Sequence, residues 1–238
     1  MIMRSALIIA GRELRACLAS PLPYLVGAGM LVFLGYRFAA GLFSAMEASL
    51  RSFFTHAGAI LVFVAPLLTM RLLAEEQRSG TIELLLTSPV REREVVAGKF
   101  LAGLGMLMLL LTPTLYYVLA LAIFGNPDFG PLVSGYMGMV LLGSALVSIG
   151  ILTSALTSRP IVSAALGITI LACLWWLPIV AGLVSESLRM TLAPFSLAAH
   201  LEDFTKGIVD SKDVIFYLSV IAGALFFATR ALEGRRGR

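Results

Sequence analysis

Charge is what this sequence has least of. Only 13% of its residues are Asp, Glu, Lys or Arg and 59% are hydrophobic, whereas a soluble domain carries about a quarter charged residues. A mean hydropathy of +0.94 excludes a water-soluble globular fold. The 238 residues read as an integral membrane protein.

Other scarcities narrow the chemistry. The two cysteines, Cys17 and Cys173, fall in a mixed opening helix and in the middle of an apolar run, so no structural disulfide is expected. The two histidines, His56 and His200, lie in different external segments; each reads as a surface or packing residue rather than a metal ligand. No GxxxxGK[ST] loop occurs, because Gly98-Lys99 is followed by Phe100 and lacks a glycine five residues before Gly98. If ATP drives this protein, another chain binds it. No catalytic, metal or cofactor residues are assigned, and no nucleic-acid partner is expected. A carrier driven by ion gradients would need ionisable residues deep in its spans, and only Arg37 qualifies.

What is present is length of apolar sequence. Six runs are long enough to cross a bilayer, approximately Leu22 to Phe43, Phe54 to Leu73, Val95 to Phe124, Leu132 to Thr157, Ile161 to Val184 and Val214 to Leu232. The expected fold is all-α: one six-span membrane domain over residues 1–238. Pro66, Pro113 and Pro178 lie within spans and should kink them. Residues 1–20 do not read as a cleaved signal, since Arg4, Arg12, Glu13 and Arg15 interrupt them. Leu7, Ala10, Leu14 and Leu18 recur at helical spacing, which predicts an amphipathic helix on the membrane surface with its arginines among the headgroups.

An even number of spans puts both termini on one side. That side holds Arg4, Arg12, Arg15, Arg71, Arg78, Arg91, Arg93, Lys99, Arg159, Arg230, Arg235, Arg236 and Arg238, thirteen of the eighteen basic residues; the other holds Arg37, Arg51, Arg189, Lys206 and Lys212. The positive-inside rule then makes both termini cytoplasmic. Arg37 stands in the outer part of the first span. It either snorkels outward or serves the pathway or pairs with Glu47. In the fourth span Ser144, Ser148 and Ala155 form one stripe of small residues and Gly143, Gly150 and Ser154 another, which suits a dimer seam, a pathway wall or packing within one subunit.

Between the second and third spans lies a charged island, with a cytoplasmic loop predicted over residues 74–94. Ser79 and Gly80 can cap a short helix, and Pro89 ends it. Ile82, Leu84, Leu85 and Leu86 then form an apolar knob too short to span, which needs a groove on another protein. Glu75-Glu76 followed by Gly80-Thr81-x-Glu83-x-Leu85-Leu86-Thr87-Ser88-Pro89-Val90 resembles the first cytoplasmic loop of ATP-binding-cassette exporter permeases of the second class, and most closely the gliding-motility type. The paired glutamates do not fit the EExxxR motif of intramembrane CAAX-type proteases, since Gly80 stands where arginine is required.

The resemblance implies a bacterial inner-membrane permease that partners ABC ATPase subunits, which bind the ATP and Mg, and a second permease copy or sister permease. Gly80, Thr81, Ile82, Glu83, Leu84, Leu85 and Leu86 would couple to the ATPase. Glu75, Glu76 and Arg78 would form a cytoplasmic gate. Residues 185–213, with Pro194-Phe195-Ser196 and His200, resemble the external re-entrant segment of the same subgroup. Two activities follow: export across the membrane, or ATP-driven transmission of force to an extracytoplasmic partner, such as a membrane-anchored auxiliary subunit with an extracytoplasmic domain.

Overall fold

In a computed structural model, the described residues, 2–45, 50–80, 91–124 and 128–236, form a bundle of helices with no strand among them. The helices are α1 (Ile2–Ala19), α2 (Leu22–Ala45), α3 (Arg51–Ser79), α4 (Glu92–Leu111), α5 (Leu115–Phe124), α6 (Phe129–Leu156), α7 (Pro160–Val184), α8 (Glu186–Leu192), α9 (Leu197–Thr205) and α10 (Ser211–Arg236). Six candidate spans are built from α2, α3, α4 with α5, α6, α7 and α10. The all-α membrane fold read from the sequence is the one observed. The start of α4 packs on α1 at Gly98 and shares a cavity lined by Arg93, Arg230 and Glu233 with the last turns of α10, so these elements lie on one side of the bundle, called here the terminal side.

The prolines behave differently from one another. Pro113 breaks its span into α4 and α5 through a 3-10 turn, Thr112–Thr114. Pro66 and Pro178 remain inside unbroken helices. A proline removes one backbone donor and needs room for its ring. Gly167 of α7 supplies that room for Pro66, since a Cβ there would stand 3.0 Å from the Pro66 Cβ.

Helix α6 is the axis of the bundle. Its most apolar stretch is 78% buried, against 22% for α2, α7 and α10, which lie at the outside of the bundle. The small-residue stripes of α6 explain why. A side chain at Gly150 would overlap Thr69 of α3, one at Gly135 would overlap Phe54, and a Cβ at Gly143 would lie 2.5 Å from Leu107 of α4. Ser148 and Ser154 are fully buried, and Ala155 with them. The stripes are packing surfaces inside one subunit, where backbones approach closely and many weak contacts sum. Ser148 returns its hydroxyl to the Ala145 carbonyl, so its burial leaves no loose donor.

Helix α1 packs on α4 through Ala6, Ile9 and Leu14: Ala6 and Ile9 are buried, a Cβ at Gly105 would lie 3.3 Å from the Leu14 side chain, and Leu7 is 58% exposed. The contact is made on α4, where a Cβ at Gly98 would stand 2.8 Å from the Ile9 Cβ and 2.9 Å from the Ala6 carbonyl oxygen. At the opposite side, the segment 185–213 forms α8, a 3-10 turn and α9, whose Leu197, Leu201 and Phe204 enter the central core.

Replacing Gly150 by valine should lower stability by about 1–3 kcal/mol through overpacking against Thr69. The check is the thermal unfolding midpoint of the purified protein in detergent, with Gly223→Ala, where nothing lies within 4 Å of the added Cβ, leaving it unchanged.

Candidate functional site

Helix α3 runs past the expected span end to Ser79, so Glu75, Glu76 and Arg78 sit in its last turns and not in a loop. Gly80 terminates it with φ 74°, a left-handed conformation that glycine adopts without a Cβ penalty. The Ser79 hydroxyl donates back to the Glu75 carbonyl at 3.0 Å. Gly80 therefore closes the helix before it. Thr81, Ile82, Glu83, Leu84, Leu85 and Leu86, with Ser88 and Pro89, lie outside the described residues, as does Glu47. Helix α4 resumes at Glu92 with Arg91 as an extended N-cap and acidic residues in its first turn, which suits the helix dipole.

The last turns of α3 are held from two sides. On one side stands α6. The Ser154 hydroxyl accepts from the backbone N–H of Leu73 at 3.1 Å and of Ala74 at 3.0 Å, and donates to the Met70 carbonyl at 3.1 Å. One turn further, the Gln77 amide donates to the Ala155 carbonyl at 2.9 Å. A single serine of α6 is thus inserted into the backbone hydrogen bonding of α3.

On the other side stand α1 and α4, joined by charge. Lys99 of α4 is fully buried. Its ammonium lies 2.9 Å from Glu76 Oε2 and 3.4 Å from Glu13 Oε1, and donates to the Leu72 carbonyl. The ammonium thus has one carbonyl acceptor and two carboxylates at ion-pair distance, which offset the cost of taking its charge out of water. Arg12 of α1 completes the group, 2.9 Å from Glu13 and 3.4 Å from Glu76. Two cations balance two carboxylates. The hydrogen bond to Glu13, with the charge of Glu76 behind it, holds the Arg12 pKa above its usual value despite partial burial.

This arrangement changes the role of several residues. Arg12, expected among the headgroups, is also an ion-pair partner of Glu13 and Glu76. Glu76 pairs with Lys99 and Arg12, whereas Glu75 pairs with Arg71 at 3.8 Å on the helix surface. Arg78 joins neither glutamate at ion-pair distance. Lys99 carried no role in the sequence beyond its place in the charge count. The clue was available: a lysine beside Gly98, early in an apolar run, marks a charge drawn under a close helix contact. Cys17 lines a small cavity of about 160 Å³ beside this cluster, and burial pushes its thiol pKa up, which keeps it protonated.

The far side carries two histidine pairs. Arg37 is exposed and lies 2.6 Å from His56 Nε2, while His56 Nδ1 faces the Ser52 carbonyl at 2.5 Å. The arginine can only donate, so the imidazole accepts at Nε2 and donates from Nδ1. His200 stands between the fully buried Asp213 of α10 at 2.6 Å and the Pro194 carbonyl at 2.8 Å, stacked on Phe216. The ring bridges the two and ties α9 to α10.

Replacing Lys99 by methionine strands Glu13 and Glu76 with Arg12 alone, a change expected to cost about 3–5 kcal/mol. Detergent unfolding should show the loss, and the double variant Lys99→Met/Glu76→Gln should recover part of it. Equal losses in both would mean that the lysine acts by packing and not by charge.

The arrangement fastens the end of one helix to three others. A family model described as ABC-2 family transporter protein matches residues 24–223, from α2 into α10. A comparison with curated proteins gives no match. Glu76, Lys99 and Ser154 lie within the matched stretch, and Arg12 and Glu13 of α1 precede it. The chain belongs to the ABC-2 transporter family and is a membrane-spanning permease subunit of an ABC transporter.

Proposed function

We propose that this permease couples ATP hydrolysis by a separate ATPase subunit to export across a bacterial inner membrane, working with a second permease copy or a sister permease. The observation that supports this reading is the double anchoring of α3. The segment from Gly80 through Thr81, Ile82, Glu83, Leu84, Leu85 and Leu86 follows directly on a helix end that is bonded to α6 through Ser154 and to α4 and α1 through Glu76. A push on that segment cannot be absorbed by a loose helix end. It moves α3, and α3 moves with α1, α4 and α6.

The division of labour follows from chemistry. ATP and magnesium belong to the partner, since the sequence has no phosphate loop. Leucines 84, 85 and 86 would dock on the ATPase, and Glu83 would hold the start of a short helix by its carboxylate. Glu75, Glu76 and Arg78 stand behind them as the gate-side end of α3. With thirteen of eighteen basic residues on the terminal side, both termini face the cytoplasm in this reading. The resemblance to gliding-motility-type permeases favours a second reading, in which the same stroke is delivered to an extracytoplasmic partner, such as a membrane-anchored auxiliary subunit, and little material crosses.

The purified chain alone should hydrolyse no ATP, and the ATPase subunit should be stimulated by it. Leu85→Asp should release the ATPase in co-purification, because each fully buried leucine contributes about 1.5–3 kcal/mol. Glu83→Ala should leave the complex assembled and weaken the stimulation. Retention of the ATPase by Leu85→Asp at wild-type stoichiometry would refute the docking assignment.

Orientation has its own test. A single cysteine at position 206 should react with an impermeant thiol reagent on intact cells and one at position 78 only after the membrane is opened. The reverse pattern would invert the molecule.

A further inference from the structure

A cavity of about 710 Å³ opens on the terminal side between the end of α3 and the start of α7. Its walls carry Arg71, Arg78 and Arg159 against a single carboxylate, Glu75. Arg71, Glu75 and Arg78 fall at i, i+4 and i+7, one stripe of α3, so the Cα atoms of the two arginines stand about 10 Å apart along the axis. Arg159 faces them from the N-cap of α7. Glu75 takes up part of the Arg71 charge at 3.8 Å. Among the described residues, no carboxylate lies within ion-pair distance of Arg78 or Arg159.

The rest of the lining is of a different kind. Met70, Pro160, Ile161 and Val162 give the cleft an apolar wall, and Ile161 is 82% exposed at the very start of a span. The first turn of α7 has Pro160 at its first position and no side-chain cap, so its free N–H groups add to the positive field. An excess of guanidinium charge with a lipid-level apolar wall matches one chemistry: an anionic group carried on a hydrocarbon body. Guanidinium forks recognise phosphate oxygens in pairs.

We propose that this cleft binds the phosphate headgroup of an anionic amphiphile lying in the adjacent leaflet, with Arg78 and Arg159 as the principal contacts, Arg71 as a third, and Glu75 as a tuning charge that weakens binding. The site is separate from the Lys99 cluster and stands or falls independently of ATP coupling.

Native mass spectrometry of the full-length protein in detergent, titrated with phosphatidylglycerol or phosphatidylcholine, tests this. Wild-type protein should retain phosphatidylglycerol preferentially. Arg78→Gln and Arg159→Gln should each lower its apparent affinity about fivefold. Glu75→Gln should raise it, an effect that general loss of structure would not produce. Arg230→Gln removes the same charge elsewhere on the terminal side and should leave binding unchanged. An equal loss in Arg230→Gln would overturn the site in favour of unspecific attraction. Full displacement of the lipid by inorganic phosphate would overturn the amphiphile and leave a free-anion site. Lipid binding that survives both cleft substitutions while the ATPase subunit is lost would overturn it in favour of a protein contact.

Discussion

The structure depends on one buried ammonium. Lys99 has no contact with solvent, and a lone charge in that position would be prohibitively costly. It persists because the Leu72 carbonyl accepts its hydrogen bond while the carboxylates of Glu13 and Glu76 stand at ion-pair distance. Those acceptors come from α1 and α3, so satisfying a single side chain of α4 specifies the relative position of three helices. Hydrocarbon contacts in a membrane discriminate poorly between helix registers, because lipid is as apolar as leucine. A charge that must find its partners discriminates strongly. Gly98 makes the pairing geometrically feasible by letting α1 approach α4 closely enough for Glu13 to reach over.

The same end of α3 is secured again by Ser154, and the two fastenings differ in kind. The serine bonds to backbone N–H and carbonyl groups, which every residue possesses, so it fixes depth and rotation of α6 on α3. The ion pairs act through side chains and are sensitive to charge. Together they hold the last turns of α3 stiffly, at the end that receives the push from the ATPase in the proposed function. Glycines at 135, 143 and 150 extend the stiffness along the axis by bringing backbones together where side chains would hold them apart.

The arginine cleft beside this helix end shows how the two faces of α3 are divided. Glu76 turns inward to Lys99, while Arg71, Glu75 and Arg78 share the outward stripe toward α7. One helix end thus serves a neutral buried cluster on one face and a basic open cleft on the other. The two are a quarter-turn or more apart and can respond to different partners.

Much was legible in the sequence because it follows from local composition. Six apolar runs of bilayer length, the break at Pro113 and the small-residue stripes of α6 all depend on residues close together in the chain, and an apolar spanning segment of this length satisfies its backbone as a helix; Gly80, read as the cap of a following helix, instead ends α3. Which face of α1 is buried was not legible. Leu7, Ala10, Leu14 and Leu18 mark the more apolar stripe, yet Leu7 is exposed, Leu14 packs on α4, and Glu13 turns inward to Lys99. Nor could the sequence pair Glu76 with a lysine twenty-three positions on. Charge partnerships across helices depend on distances of a few ångströms set by packing, and only the tertiary structure brings Arg12, Glu13, Glu76 and Lys99 within that range.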